Sequence, residues 1–206
     1  MKTLERTRDG VPVIEMMHEE PVRTIGLQRV FAILRIAMGW TFLWAFLDKA
    51  FGLGFATGRN VETVAIVFGG PDAWVNGGSP TAGVVGFALK GPFKGTIQSI
   101  TGYQMTQAGP QVAAWVDWLY MVTLAAIGVA LILGIATKLA AFGGIAWMAT
   151  FYLATAIWPE HNPFLDEHLV DIVVLVGLVL ANAGRYYGFG KAWQRLRFVK
   201  DRAYLH

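Results

Sequence analysis

The densest set of ionisable side chains in the sequence is His161, Asp166, Glu167, His168 and Asp171. His168 and Asp171 stand three residues apart, so on a helix they share a face. An imidazole beside a carboxylate suits proton transfer, which makes His161, His168, Asp171 and Asp117 the candidate acid–base groups. A structural reading stands beside this one. Asp166 is placed to cap a helix, and carboxylates in the first turn complement the helix dipole.

Asp48, Lys49, Asp117, Tyr120 and Trp158 stand at the ends of apolar runs, at a depth like that of His161 and His168. Together they suggest one polar pocket. Arg35 lies inside an apolar run, where it either snorkels to the nearer surface or pairs within the bundle, with Asn182 at matching depth. No metal site is predicted, because His161 and His168 are seven residues apart and no ligand quartet is evident. Cysteine is absent, which excludes disulfides, thiolate metal sites and a thiol nucleophile. Gly86 and Gly91 have the spacing of P-loop glycines, but Pro92 stands where the lysine must be. The G-x-G-x-x-G begun by Gly52 and Gly54 ends in Thr57. No nucleotide site is predicted, and the basic residues form no stripe that would suit nucleic acid.

The elements that must position these residues follow from composition. Of 206 residues, 15% are charged and 55% hydrophobic, against about 25% charged in an average soluble domain. The mean hydropathy is +0.47. Such a chain cannot cover its surface with polar groups, so the expected solvent is a bilayer. Trp118 to Thr137 and Leu139 to Trp158 are uncharged runs of 20 residues each, the length that a ~30 Å hydrocarbon core demands. Val30 to Leu47 is interrupted only by Arg35 and follows a polar tail without the h-region of a cleavable signal. A fourth, weaker span extends from His168 to Tyr187, with Tyr186 and Tyr187 as interfacial anchors.

The predicted fold class is all-α: an integral membrane four-helix bundle with spans at 28–51, 112–136, 138–158 and 168–187. Residues 1–27 form a tail, and 188–206 a basic amphipathic one in which Phe189, Trp193 and Leu196 alternate with Lys191, Arg195 and Arg197. Spans two and three are expected to turn tightly near Thr137 and Lys138. They carry small residues at spacing four, Ala126, Ala130, Gly134, Ala140 and Gly144, which predicts close packing between them. The outer insert, about 58–110, holds 11 of 24 Gly and four of eight Pro. Its apolar pieces, Val61 to Phe68 and Ala82 to Leu89, are too short to span. They predict short interfacial helices forming a lid.

Twelve Lys and Arg fall on the side of the termini and four on the other, so both termini are expected in the cytoplasm of a prokaryotic inner membrane protein. With the acidic residues and Arg35 included, the net charge of +3 divides into +7 inside and −4 outside.

Three groups of residues carry a family resemblance: the first span with Arg35, Gly39, Asp48 and Lys49; the run Gly77-Gly78-Ser79-Pro80-Thr81-Ala82-Gly83; and Asn162 to Asp171 followed by Gly184-Arg185-Tyr186-Tyr187-Gly188. Over roughly Leu27 to Trp193 the chain resembles the DoxX/DoxD family of bacterial and archaeal membrane proteins. The resemblance implies a four-helix membrane protein. For the DoxD branch it implies a subunit of thiosulfate:quinone oxidoreductase, which joins two thiosulfates into tetrathionate and passes two electrons to quinone. It implies Arg35, Lys49, Ser79, His161 and Asp171 as site positions and quinone as electron acceptor.

Two dianions about 5 Å apart repel by ~3 kcal/mol even at the dielectric of water, so such a site needs converging cations. Lys49, Arg59, Lys90, Lys94 and a protonated His161 are the candidates, although the outer side is net acidic. A scaffold that recruits a redox or sulfur-transfer partner is the alternative, and a small-solute transporter a third. The partners to consider are membrane lipid, a second redox subunit and a second copy of the chain.

Overall fold

The computed structural model describes residues 24–59, 66–90, 92–107, 109–156, 164–200, 202 and 205. They are mostly helical: α1 (Ile25–Phe51), α2 (Lys94–Ile100), α3 (Ala114–Leu133), α4 (Thr137–Phe151), α5 (Glu167–Leu180), α6 (Gly190–Trp193) and α7 (Arg197–Lys200). A hairpin of β1 (Gln104–Thr106) and β2 (Gly109–Gln111) lies in the insert. Two helices, α1 and α3, are long and apolar enough to cross a membrane. α4 runs on into a π-helical segment, Tyr152–Ala156.

α1 packs on α3 and α5, and α4 packs on the same two helices, so the four close a ring. Its core takes Met38 and Phe42 from α1, Met121, Leu124 and Leu131 from α3, Ala141 from α4 and Leu175 and Leu178 from α5. The outward faces are apolar as well. Ile33, Val122, Phe142 and Val173 are all exposed.

The tightest seam joins α1 and α3, where sequence spacing did not place it. A Cβ on Gly128 would lie 2.6 Å from the Leu43 nitrogen, and one on Gly39 would lie 2.8 Å from the Ile132 nitrogen. Only hydrogen fits at these two crossings. The small residues predicted to join spans two and three do something else. Ala126, Ala130 and Ala140 line an apolar groove of about 620 Å³ between α3 and α4, while Gly144 faces Phe42 and Leu175.

Several predicted boundaries shift for local reasons. α3 ends at Gly134, whose φ of 74° stops the helix, and the turn to α4 passes through Ala136 at φ 44°, just ahead of the predicted Thr137 and Lys138. The fourth span was expected to run to Tyr187, but α5 stops at Leu180. Asn182 takes the left-handed conformation and a 3₁₀ turn, Ala183–Arg185, follows. Tyr186 is buried rather than interfacial, while Tyr187 is exposed and its hydroxyl accepts a bond from Arg29 Nε at 3.3 Å.

Arg35 explains why the chain turns there. It is fully buried, and its guanidinium donates to the carbonyls of Leu131 at 2.5 Å, Ile132 at 3.1 Å, Tyr186 at 3.3 Å and Tyr187 at 3.1 Å. It neither snorkels nor pairs with the Asn182 side chain. Instead α1 carries a cation to the last carbonyls of α3, where the helix dipole favours it, and to the backbone beyond α5. Gly134 must lack a side chain, because a Cβ there would run into the guanidinium.

The insert departs from an all-helical reading. It contains the 3₁₀ turn Trp74–Asn76, the π segment Val84–Ala88, α2 and the hairpin, and Ile66 pairs with Arg59 in an antiparallel bridge. Residues 61–65 of the apolar piece expected from Val61 to Phe68 lie outside the described residues, as do 1–23 of the N-terminal tail. The insert sits on the end of α4: Val85 and Leu89 pack with Ala154, and the Lys90 amide donates to the Ala154 carbonyl at 2.9 Å.

The α1–α3 seam yields a stability test. Gly128→Val should destabilise the protein by about 1–3 kcal/mol through overpacking. Gly177→Ala, on an α5 site where a Cβ meets open space, should stabilise it by up to about 1 kcal/mol. Thermal unfolding midpoints in one detergent compare the two.

Candidate functional site

At the insert end of α1 and α3 two carboxylates are committed to the backbone and to hydroxyls. Asp48 is buried near the end of α1, and its oxygens accept from the amides of Phe55 at 3.1 Å, Ala56 at 2.9 Å and Thr57 at 3.0 Å. This holds the chain where it leaves the helix at Gly52, whose φ is 62°. Asp117, one turn into α3, is buried too. It accepts from Ser79 Oγ at 2.7 Å, from the Thr81 amide at 3.0 Å and from Thr81 Oγ1 at 2.7 Å. The run Gly77 to Ala82 is thereby anchored to α3. Both oxygens of Asp117 are engaged, so the geometry makes it a positioning residue for this loop, not the free proton relay expected of it.

Between these two anchors opens a cleft of about 970 Å³. Lys49, Arg59, Asp72, Asn76, Ser79 and Asp117 are among its lining residues. Lys49 and Ser79, implied as site positions by separate stretches of sequence, therefore meet in one place. The Lys49 amine has no hydrogen bond or ion pair among the described residues. Arg59 is the second cation of the cleft. Lys90 and Lys94 are exposed and do not line it. Arg35 is withdrawn from any substrate by its burial and its carbonyl partners, which corrects its expected part in binding.

The second group of candidates does not line the cleft. His168 Nδ1 lies 2.6 Å from Asp166 Oδ2, a contact that puts the ring proton on Nδ1 when the imidazole is neutral. Asp166 also caps α5, accepting from the Leu169 amide at 3.1 Å, as its place before the helix predicts. The His168 ring is 5.9 Å from that of Phe151, which with Trp147 packs around the buried Tyr120. Asp171 is half-buried one turn further along α5. His161 and Trp158 lie outside the described residues. The single polar pocket expected at the helix ends is thus divided, with Lys49, Ser79 and Asp117 in the cleft and His168 with Asp166 at the start of α5.

Nothing in the spacing of residues pointed to Asp117 as the partner of Ser79 and Thr81, which are 38 and 36 residues away. A signal was present in composition. A buried acid at the start of an apolar helix needs donors, and Ser79 and Thr81 are hydroxyl donors set among glycines. Among the described residues no group of three or more His, Asp or Glu is placed to hold a metal ion. No family model, no curated protein and no solved structure matches this chain.

Burial raises the affinity of Asp166 for its proton, but the hydrogen bonds from His168 and the Leu169 amide outweigh it and hold the carboxyl below its usual range. The cap therefore stabilises fully above the unfolded value of about 3.9 and is lost as pH falls through the lower folded value. Asp166→Ala should cost about 1 kcal/mol near neutral pH, and wild type and variant should converge only in strong acid. Asp117→Asn should loosen the Gly77 to Ala82 loop by about 1.5–3 kcal/mol, read as faster amide exchange there and not in α3.

Proposed function

We propose that the chain is a four-span membrane protein, with α1, α3, α4 with its π extension, and α5 as spans and both termini cytoplasmic. The outward faces of all four helices support this: Ile33 is 65% exposed, Val122 54%, Phe142 71% and Val173 69%, far more apolar surface than a soluble monomer leaves open. α1 and α3 measure about 40 and 30 Å at 1.5 Å per residue, which suits a bilayer core. α5 is about 21 Å long, and the turns gathered by Arg35 complete its path to the inner surface. The excess of Lys and Arg near the termini supports the orientation.

On this framework the chain acts as a membrane subunit of a quinone-linked oxidoreductase, of the DoxD kind that it resembles. The observation that carries the reading is the meeting of Lys49, Arg59 and Ser79 in one cleft at the outer helix ends. Two thiosulfate dianions need opposed cations to approach each other, and a lysine and an arginine on the lining of one cleft answer that need. Joining them forms one S–S bond and releases two electrons; reducing quinone to quinol takes those electrons and two protons. His168 and Asp171, on one face of α5, are the groups this reading assigns to proton supply.

A scaffold that recruits a redox or sulfur-transfer partner is the second reading. Asp117, spent on holding a loop, and Arg35, spent on carbonyls, favour it, because both are then structural. Purified protein in lipid, with and without co-purifying partners, separates the two readings. Thiosulfate-dependent reduction of a quinone analogue is expected, falling about 10- to 100-fold in Lys49→Ala, the worth of one charge-assisted contact. Lys94→Ala, outside the cleft, should change it little. Absence of turnover with the partner present, or equal effects of the two substitutions, overturns the enzyme reading.

A further inference from the structure

The segment after α5 carries a surface that the cleft does not use. Phe189 donates its amide to the Leu133 carbonyl at 2.8 Å, Val199 is fully buried, and Trp193 Nε1 donates to the Leu205 carbonyl at 2.7 Å. The segment is therefore folded onto the bundle at the end that Arg35 ties together. Yet Tyr187, Phe189, Leu196 and Phe198 stay exposed, and so do Lys191, Arg195, Arg197, Lys200 and Arg202. None of these five cations has a carboxylate partner among the described residues.

We infer that this surface docks onto the anionic lipid headgroups of the inner leaflet, with its aromatic and aliphatic side chains at the acyl boundary and its cations among the phosphates. The inference rests on the four-span reading, which puts this end of the bundle at the membrane surface. Two features of the surface select the partner. Apolar side chains interleaved with basic ones are what an interfacial segment needs, and Tyr187 bonds to Arg29 in the first turns of α1, where Ile25, Leu27 and Val30 are exposed as well. Its described charges are all positive and outnumber the one acid of the segment, Asp201, five to one, which complements the negative potential of a leaflet rich in acidic lipid. An acidic protein partner would account for the cations but leave the exposed aromatic side chains at the membrane surface without a role.

The absence of cysteine makes the test direct, since Phe198→Cys or Leu196→Cys takes a single fluorophore. The labelled full chain is reconstituted in bilayers of phosphatidylcholine with a minority of phosphatidylglycerol, and either lipid is supplied in brominated form as a quencher. Brominated phosphatidylglycerol should quench the label more strongly than its share of the bilayer predicts. The preference should fall about fivefold for each cation removed in Arg195→Gln, Arg197→Gln and Lys200→Gln, and vanish in high salt. Quenching in simple proportion to composition, or none, overturns the inference. A label at Val122→Cys, on an outward face of α3, reports on the framework separately: quenching there with none at Phe198 leaves the four-span reading standing. No quenching at Val122 overturns that reading and the inference with it.

Discussion

The arrangement of the four long helices depends on one buried guanidinium. Taking an ion out of water costs several kcal/mol even after relaxation, so Arg35 can be buried only if its surroundings meet its charge. No carboxylate among the described residues does so. Four carbonyl oxygens do, two at the negative end of α3 and two from the backbone beyond α5. Because those carbonyls belong to distant parts of the chain, one side chain of α1 fixes where α3 must end and where the chain after α5 must turn. The short α5, the left-handed Asn182 and the bare Gly134 are consequences of that single requirement.

The opposite end of the bundle uses the same device with the sign reversed. Asp48 and Asp117 are buried anions met by amide and hydroxyl donors from the insert. In lipid, apolar contact does little to choose among ways of packing helices, since a lipid chain is as good a neighbour as a leucine. Charged groups that must find donors or acceptors have few acceptable arrangements. The apolar core between the clamps can therefore be built from interchangeable residues, while register is set by one arginine and two aspartates.

The apolar runs that became α1 and α3 were legible in the sequence because each is long and almost uncharged, and Asp166 was legible as a cap because capping is local. The rest depended on distance in sequence. Arg35 has partners about 96 and 152 residues away, and no spacing rule reaches that far. The α1–α3 seam at Gly39 and Gly128 was missed because a repeated small-residue pattern is easier to see than two isolated glycines, although these two meet the backbone of the facing helix. The hairpin at Gln104–Gln111 was hidden by an insert rich in glycine and proline, where short strands carry almost no alternation. For the site, residue types grouped Lys49 with His168 and the family resemblance added Ser79, but neither could tell which would share a cleft, because similar depth along a helix says nothing about which side of the bundle a residue faces.

On the proposed orientation the net negative charge expected of the outer side counts against an anionic substrate, and the position of its acids changes the weight of that objection. Among the described residues, Asp48, Asp117 and Asp166 each face donors aimed at them within about 3 Å. Oriented N–H and O–H dipoles at that range offset much of the field of a carboxylate beyond its own shell, and they do so without mobile ions. The exposed guanidinium of Arg59 has no such screen among the described residues, while the Lys49 amine keeps Asp48 as an electrostatic neighbour. The field in the cleft then depends on where each charge is held more than on a count of formal charges. Asp72, exposed on the same lining, is the anion that still opposes these two cations. It fixes one side of the cleft as unfavourable to a second negative group and so restricts where a pair of dianions could lie.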